Sequence, residues 1–290
     1  MPGLGLKKFL IVTADDFGIH PAVNEAVSQA SSTGILTAAS LMVGAPAAQD
    51  AVRRARELPQ LRVGLHLVLA DGFSVLPREE IPDLVDEQGR FGDGMWLDGV
   101  RYFALPSLRR QLEAEIRAQF VAFARTGLVL DHVNAHKHFH LHPTLLKMIV
   151  RIGREFGMSA VRVPHEPLWF SGGGAGAVAS TVFLTPWVAL MKARLRAGGI
   201  SYNDRVFGIA STGRLDETVL LDILARLPAG VSEIYLHPAT HSAAPITSTM
   251  SHYQHTDELA ALLSKRVAAA VAASGAVRGG FRDCLSAASA

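Results

Sequence analysis

The chain has 290 residues, of which 49% are hydrophobic, so it is long and apolar enough to bury a large α/β core. Its formal net charge of +2, with both signs interspersed, provides no basic stripe for phosphate backbones, which excludes nucleic acid as an expected partner. The single cysteine, Cys284, excludes an internal disulfide and a cysteine-based zinc site and favours a reducing compartment.

The first segments predict strands that alternate with helices. A branched apolar run at residues 9–12 indicates a buried strand that ends at Asp15 and Asp16. Pro21 suits the first turn of a helix that Gly34 ends, because apolar residues recur between them at helical spacing. The next segments are a strand at 37–43, a helix at 47–58 and a strand that ends at His66.

Residues 71–107 interrupt this alternation, because they contain proline and glycine at short intervals. We interpret them as an excursion that covers the strand ends. Regular segments then return as a helix at 108–125, a strand at 128–134, a helix at 144–156 and strands at 160–163 and 233–236. The alternation predicts one α/β domain over residues 1–290, built on a parallel sheet that is open or closed into a barrel.

Ionisable side chains stand where several of these strands end. Asp15 and Asp16 follow the first strand, His66 ends the third, and His136 follows the strand at 128–134. Because the carboxyl ends of parallel strands meet at one edge, where α/β proteins bind ligands, we expect these side chains to form a metal site. The alternative for either aspartate is that it only caps the next helix.

Five histidines, all at even-numbered positions, surround the last of these strand ends. They are His132, His136, His138, His140 and His142. An extended backbone would place their imidazoles on one face, until a helix begins near Pro143. One ion cannot bind all five, so some would support the ligands or face a substrate. The alternative is a solvated histidine-rich turn.

Two histidines and one carboxylate on a divalent ion leave coordination positions for water and substrate, which is typical of a catalytic site. Such an ion lowers the pKa of bound water towards about 7 and polarises a carbonyl. If Asp15 and Asp16 are both extended, their side chains point to opposite sides, so one can bind the ion while the other accepts a proton. One zinc ion suits these ligands, which also accept nickel, cobalt, manganese or magnesium.

Four motifs resemble the signatures of the YdjC-like carbohydrate deacetylases, in the same order and across almost the whole chain. They are Thr13-Ala14-Asp15-Asp16-Phe17-Gly18, Gly64-Leu65-His66-Leu67, the stretch from Asp131 to His140, and Leu236-His237-Pro238-Ala239. Residues 36–43 and 131–143 are similar to the hopanoid-biosynthesis-associated (HpnK) branch of this family. The resemblance implies a distorted (β/α) barrel, and it implies removal of the acetyl group from an N-acetylglucosaminyl hopanoid lipid.

The resemblance also implies roles for single residues. Carried over to this sequence, it makes Asp16, His66 and His136 the metal ligands and Asp15 the general base. His237, at a fourth strand end, is the candidate that protonates the departing amine, because an ordinary imidazole has a pKa near about 6.5. The alternative for His237 is a buried histidine bonded to backbone.

Four further residues are candidates for contact with the substrate, namely His138, His140, Arg162 and Asn134. Arg162 follows a short strand, where it would bind sugar hydroxyls, orient a carboxylate or form a structural ion pair. Asn134 departs from the aspartate that chitooligosaccharide members of the resembled family carry at this position.

The segment 166–200 is interpreted as a second covering excursion. Its apolar run at 175–190 is shorter than the roughly 20 residues that span a bilayer, so it does not predict a transmembrane helix. Thr185 as N-cap and Pro186 at the first position would begin a helix that mixes Trp187 with aliphatic and basic residues. Such a helix suits peripheral contact with lipid, and the alternative is an ordinary barrel helix with a basic edge.

Residues 1–8 carry their charge after small residues and run straight into a strand, which is not the pattern of a secretory signal. We therefore expect a cytoplasmic protein, with peripheral contact at the inner face of the membrane. Its expected partner is an N-acetylated sugar carried on a lipid. Two alternatives stand beside this prediction: deacetylation of soluble chitooligosaccharides, and a carbohydrate-binding protein whose metal is structural. The sequence predicts no oligomeric state.

Overall fold

The structure is a computed structural model that describes residues 7–94, 106–170, 175–241 and 246–289. Its strands are β1 (Lys8–Phe17), β2 (Ala38–Leu41), β3 (Arg62–Leu67), β4 (Val133–Ala135), β5 (Ala160–Val161), β6 (Ser201–Tyr202), β7 (Arg205–Phe207), β8 (Gly230–Leu236) and β9 (Val277–Arg278). Its α-helices are α1 (Pro21–Thr33), α2 (Ala48–Arg56), α3 (Pro106–Arg125), α4 (Pro143–Glu155), α5 (Ala175–Ala197), α6 (Glu217–Ala225), α7 (His255–Leu263), α8 (Lys265–Ala273) and α9 (Phe281–Ser289). Short 3-10 helices lie at His136–Leu141 and Ser248–Met250.

The strands form a parallel sheet in the order β6-β5-β4-β3-β2-β1-β8-β7, with β9 paired to β1. The two edge strands, β6 and β7, are separated in sequence only by Asn203 and Asp204. Because two residues cannot cross a flat sheet of this width, the sheet must curl until its edges come close. The predicted α/β fold with a distorted parallel barrel is confirmed, and the distortion is the seam between β6 and β7.

The central strand β1 is buried on both faces, as parallel strands covered by helices usually are. Leu10 and Val12 belong to the main hydrophobic core. Phe9 and Ile11 point to the opposite face, where they pack with Phe281 of α9. Helix α9 therefore packs against the face of β1 that carries Phe9 and Ile11.

The predicted beginning of α1 at Pro21 is confirmed, and the helix is capped by His20 rather than by an aspartate. The His20 imidazole Nδ1 accepts the backbone N–H of Ala22. Asp15 and Asp16 lie within β1, so neither serves as the N-cap of α1. Their carboxylates are thereby available for other contacts at the strand end.

Two local predictions are wrong. The helix expected to begin at Pro186 begins at Ala175 and contains Pro186 in its interior, so Thr185 is not its N-cap. The extended backbone expected for the histidine run ends at Ala135, because Lys137 and His138 adopt left-handed φ values of 52° and 56° within a 3-10 turn. The imidazoles therefore do not share one face.

The excursion after β3 folds back onto the barrel in its described part. Antiparallel bridges join Phe73 to Arg90 and Val85 to Phe91. The buried Glu115 of α3 accepts the backbone N–H groups of Val75 and Leu76, at 2.8 and 2.9 Å, which holds this part of the excursion against α3. Residues 95–105 of the predicted excursion 71–107 and residues 171–174 of the predicted excursion 166–200 lie outside the described residues.

No helix in the described part of the chain is both long enough and apolar enough to cross a membrane.

Candidate metal centre and active site

The carboxyl ends of β1, β3 and β4 bring Asp16, His66 and His136 together. One ligand atom from each of the three side chains lies within 4.8 Å of the others, and all three residues are buried. Asp16 reaches this position because β1 changes register between Ala14 and Phe17, and Asp16 takes a left-handed φ of 61° there. A β-bulge of this kind redirects a side chain at the end of a strand.

The three side chains fit a cation. Asp16 Oδ1 lies 3.0 Å from His136 Nδ1 and 3.2 Å from His66 Nε2. Neither contact has hydrogen-bond geometry, so both Asp16 oxygens are buried with no hydrogen-bond partner among the described residues. Burial of an unsatisfied carboxylate is costly, and a divalent ion would satisfy it. Two imidazoles and one carboxylate would leave further coordination positions for water and substrate.

The electrostatics of the site also favour a positive charge. Although burial opposes both changes, the neighbouring imidazoles hold the pKa of Asp16 well below its usual range, and Asp16 raises the pKa of His136 to about 9. A metal ion would replace the proton that His136 otherwise holds, because a ligating imidazole must be deprotonated.

The Asp15 carboxylate lies beside this centre and is held in one orientation. The Arg162 guanidinium donates to both of its oxygens, at 2.5 and 3.0 Å, and Asn134 Nδ2 donates at 3.2 Å. Burial disfavours the ionised form, but the Arg162 charge outweighs it and holds the pKa of Asp15 far below its usual range. The other side of Arg162 binds Glu233, at 2.6 and 2.9 Å. Asp15 is therefore a fixed, ionised carboxylate.

His237 directly follows β8 and faces the same centre. Its Nε2 lies 4.0 Å from Asp16 Oδ2, and its Nδ1 has no hydrogen-bond partner among the described residues. Its backbone N–H donates to Glu258 at 2.5 Å. Burial lowers the pKa of His237 to about 4, so the imidazole is neutral at pH 7. This differs from the ordinary imidazole pKa assumed for its predicted role.

The four residues predicted to contact the substrate are engaged with protein groups. Asn134 and Arg162 are fully buried and make the contacts given above. His140 Nε2 lies 2.9 Å from the Arg162 carbonyl oxygen, and burial lowers its pKa to about 3. His138 Nε2 lies 3.2 Å from the Tyr235 hydroxyl. Their roles toward a substrate stay predictions.

Asp71, at the start of the excursion, is a site residue that the sequence analysis did not identify. Its Oδ2 lies 2.7 Å from Lys137 Nζ and 3.8 Å from His136 Nε2, and it also accepts the Thr249 hydroxyl. Against the effect of burial, these neighbours hold the pKa of Asp71 below its usual range. The sequence contained a pattern that could have identified Asp71, because this aspartate follows the apolar run at residues 67–70 much as Asp15 follows the apolar run at residues 9–12.

Two known deacetylases are similar in sequence to this chain. A carbohydrate deacetylase from Brevibacillus brevis is 37% identical over 163 residues, which are 56% of this chain and 60% of that protein. The chain thus spans about 60% of the length of that relative. A chitooligosaccharide deacetylase from Serratia marcescens is 28% identical over 283 residues, which cover 96% of this chain and 100% of that protein.

A solved structure shares the fold. It is a protein of Enterococcus faecalis V583 named for cellobiose-phosphate cleavage, with a TM-score of 0.73 and 23% identity over 96% of this chain and 98% of that one. The profile of the YdjC-like protein family matches residues 9–273, a range that contains every residue of the centre described above. The chain therefore belongs to the YdjC-like protein family.

Proposed function

We propose that this chain is a metal-dependent deacetylase that removes the acetyl group from an N-acetylated sugar. The observation that carries the proposal is the buried group of Asp16, His66 and His136 beside the fixed carboxylate of Asp15. This donor set suits a catalytic ion, and the deacetylase names of the relatives from Brevibacillus brevis and Serratia marcescens support the reaction.

Asp16, His66 and His136 would hold the ion, which would supply Lewis-acid activation of water and of the acetamide carbonyl. Asp15 would orient the attacking water and accept its proton on a carboxylate oxygen as the new C–O bond forms. His237, neutral at pH 7, would take over the proton that Asp15 accepted from the water and donate it to the nitrogen as the C–N bond breaks. The products are acetate and a free amine.

We further propose that the acetylated sugar is carried on an apolar group, with a hopanoid glycoside as the preferred substrate. The resemblance of residues 36–43 and 131–143 to the hopanoid-associated branch supports this choice. A cleft of about 530 Å³ also supports it, because the cleft includes Asp71 of the centre and apolar side chains such as Met42, Phe73 and Ile246. Apolar walls with a few polar groups suit an apolar ligand.

Peripheral contact with the membrane at the cytoplasmic face is part of this proposal. Trp187 and Leu190 of α5 are 41% and 36% exposed, and Arg194 and Arg196 follow them on the same helix. Exposed aromatic and aliphatic groups near basic ones suit the surface of an anionic bilayer.

Soluble chitooligosaccharides are the second candidate substrate class. The full-length match to the chitooligosaccharide deacetylase of Serratia marcescens supports this alternative. It keeps the metal centre and the roles of Asp15 and His237, and it changes only what occupies the cleft. Zinc is the ion we propose first for either substrate, because imidazole and carboxylate ligands suit it.

The test is mass spectrometry of an N-acetylglucosaminyl hopanoid and of diacetylchitobiose, each incubated with the zinc-loaded chain. Loss of one acetyl group from the lipid, absent in Asp15→Asn, is the expected result. Turnover of diacetylchitobiose alone would assign the soluble substrate class. If neither compound loses acetate with zinc, nickel, cobalt, manganese or magnesium, the deacetylase proposal fails and a carbohydrate-binding protein with a structural metal takes its place.

A further inference from the structure

Asn134 of β4 joins the fixed carboxylate to one of the candidate metal ligands. Its Oδ1 lies 2.6 Å from His66 Nδ1, while its Nδ2 lies 3.2 Å from Asp15 Oδ1 and 2.9 Å from Ser40 Oγ. An ionised carboxylate only accepts hydrogen bonds, so the amide nitrogen must face Asp15 and the amide oxygen must face His66. His66 then carries its proton on Nδ1 and its lone pair on Nε2, the atom nearest to Asp16.

A chain of buried hydrogen bonds continues from Asn134 away from the centre. Ser40 Oγ lies 3.0 Å from His132 Nε2, and His132 Nδ1 lies 2.9 Å from Asp131 Oδ2. The Asp131 carboxylate also accepts two backbone N–H groups from the first turn of α9, at 2.9 and 3.1 Å. Each of these four side chains belongs to a residue that is at most 2% exposed. This series of hydrogen bonds therefore runs through the protein interior, from the metal centre to α9.

The His132 ring is closely packed on both of its faces. On one side it lies against Gly64 of β3, where any Cβ would approach the ring atoms to less than 3.0 Å. On the other side the Phe281 ring stacks on it, with the centroids 4.4 Å apart and the planes at 24°. Gly64, which has no side chain, and the Phe281 ring of α9 thus hold the imidazole in one plane.

We propose that Asp131, His132 and Ser40 form a positioning relay that, together with Asp15, fixes Asn134 and, through it, the Nδ1-protonated tautomer of His66. Each hydrogen-bond partner determines which atom of the next group carries the proton. Asp131 accepts from His132 Nδ1–H, His132 Nε2 then accepts the Ser40 hydroxyl, and the Ser40 oxygen accepts the Asn134 amide N–H.

This relay rests on the proposed metal site and extends it to α9. None of its three members contacts the three candidate ligands of the ion, so each would act through Asn134. Partners behind a ligating histidine fix its tautomer and ring orientation, and their loss typically lowers metal affinity 10- to 100-fold. The inference assigns the carboxy-terminal helix a part in presenting His66 Nε2 to the ion.

Ser40→Ala in the full chain tests the relay, because it removes the hydroxyl between Asn134 and His132. We would measure the zinc dissociation constant by competition with a chelator, and the His66 tautomer from the ring ¹⁵N shifts of the metal-free protein. The expected results are about a tenfold or larger increase in the zinc dissociation constant and a fraction of His66 protonated on Nε2 that the wild type lacks, because Asp15 alone then holds the Asn134 amide nitrogen. Ser40→Thr, which keeps a hydroxyl, should retain most of the affinity.

Ser232→Ala is the matched control. Ser232 is also fully buried in the sheet, but its hydroxyl has no hydrogen-bond partner among the described residues, so zinc affinity should equal that of the wild type. A wild-type His66 protonated on Nε2 would overturn the proposal, whether or not Ser40→Ala folds. So would a folded Ser40→Ala with unchanged zinc affinity and tautomer. Neither measurement involves acetate release, so a failed deacetylase assay leaves the relay standing.

Discussion

The buried Arg162 satisfies two carboxylates at once, and its removal should cost far more than removal of an exposed arginine. Arg162→Met would leave Asp15 and Glu233 buried without their counter-charge. Loss of one partner from a buried pair typically lowers the free energy of unfolding by about 3–5 kcal/mol. Urea unfolding of the metal-free protein would measure this loss. Arg162→Lys should lose less, because an ammonium keeps the charge but cannot bind both carboxylates as the planar guanidinium does.

Arg117→Met is the control for this prediction. Arg117 forms a similar two-bond pair with Glu155, but its side chain is 41% exposed and solvent screens the charges. Its substitution should change the free energy of unfolding little. Equal losses for the two arginines would show that the Asp15 contact contributes no more than a surface pair.

Glu258 should make the folded state less stable as the pH rises. Burial raises its pKa from 4.5 to about 7, although it accepts backbone N–H groups of Leu215 and His237. Between these two pH values the folded state holds a proton that the unfolded state has lost, so the free energy of unfolding falls with pH, by about 3 kcal/mol in total. Glu258→Gln should remove this contribution.

The measurement is urea unfolding of wild type and Glu258→Gln at several pH values from 4 to 8. The stability of the variant relative to wild type should rise across this range and level off above about pH 7. A difference that stays constant with pH would mean that Glu258 ionises in the folded state as it does in the unfolded state. Glu155→Gln, at an exposed site, serves as the control.

At the level of single residues, the sequence was sufficient where strand topology alone decides proximity. Asp15, Asp16, His66 and His136 were predicted to lie together because parallel strands end at one edge, and the structure places one ligand atom each of Asp16, His66 and His136 within 4.8 Å of the others. The choice of Asp16 rather than Asp15 as a ligand came from the family resemblance. The pairing of Arg162 with Glu233 was not predictable, because it crosses the interior of the curled sheet between segments 71 residues apart. From the sequence, an ion pair was one expected role of Arg162, with no partner identified.

Among the elements, β3 is constrained by the His132 ring that lies against it. Gly64→Ala should lower the free energy of unfolding by about 1–3 kcal/mol, because the added Cβ would overlap that ring and the stacked Phe281 prevents it from moving away. Thermal and urea unfolding would both report the loss. Gly94→Ala is the control, since a Cβ there meets no atom of the described part of the chain within 4 Å. Similar losses at the two glycines would contradict this account of β3.

Two elements differ from their predictions for reasons that sequence patterns do not contain. Proline is common at the first position of a helix, but α5 begins at Ala175 and contains Pro186 in its interior, where proline cannot donate a backbone hydrogen bond. The histidines after β4 alternate as in a strand, yet Lys137 and His138 take left-handed conformations, and Lys137 then pairs with Asp71. At the second place, a tertiary contact accompanies the departure from the local pattern.

For the whole molecule, the curl of the sheet produces both the centre and the cleft beside it. Strand ends from β1, β3, β4 and β8 converge because β6 and β7 are drawn together by a two-residue connection. The alternation of strands and helices predicted a parallel sheet but left its closure open. The short connection closes the sheet only because β8 pairs with β1, which is distant from it in sequence, and no local periodicity encodes that pairing.

The cleft is lined by side chains from four distant parts of the chain, among them Ile19, Met42, Phe73 and Ile246. Its preference for an apolar group can therefore be tested by changing one of these residues, Ile246. Ile246→Ser should raise KM for an alkyl glycoside of N-acetylglucosamine about tenfold, because burial of such a side chain contributes roughly 1.5–3 kcal/mol. The KM for diacetylchitobiose should change less, and kcat should stay the same for both. Val129→Ser, at a 71% exposed position, is the control. Equal increases in KM for both substrates would show that the cleft binds the sugar itself, which would favour the soluble chitooligosaccharide as the substrate.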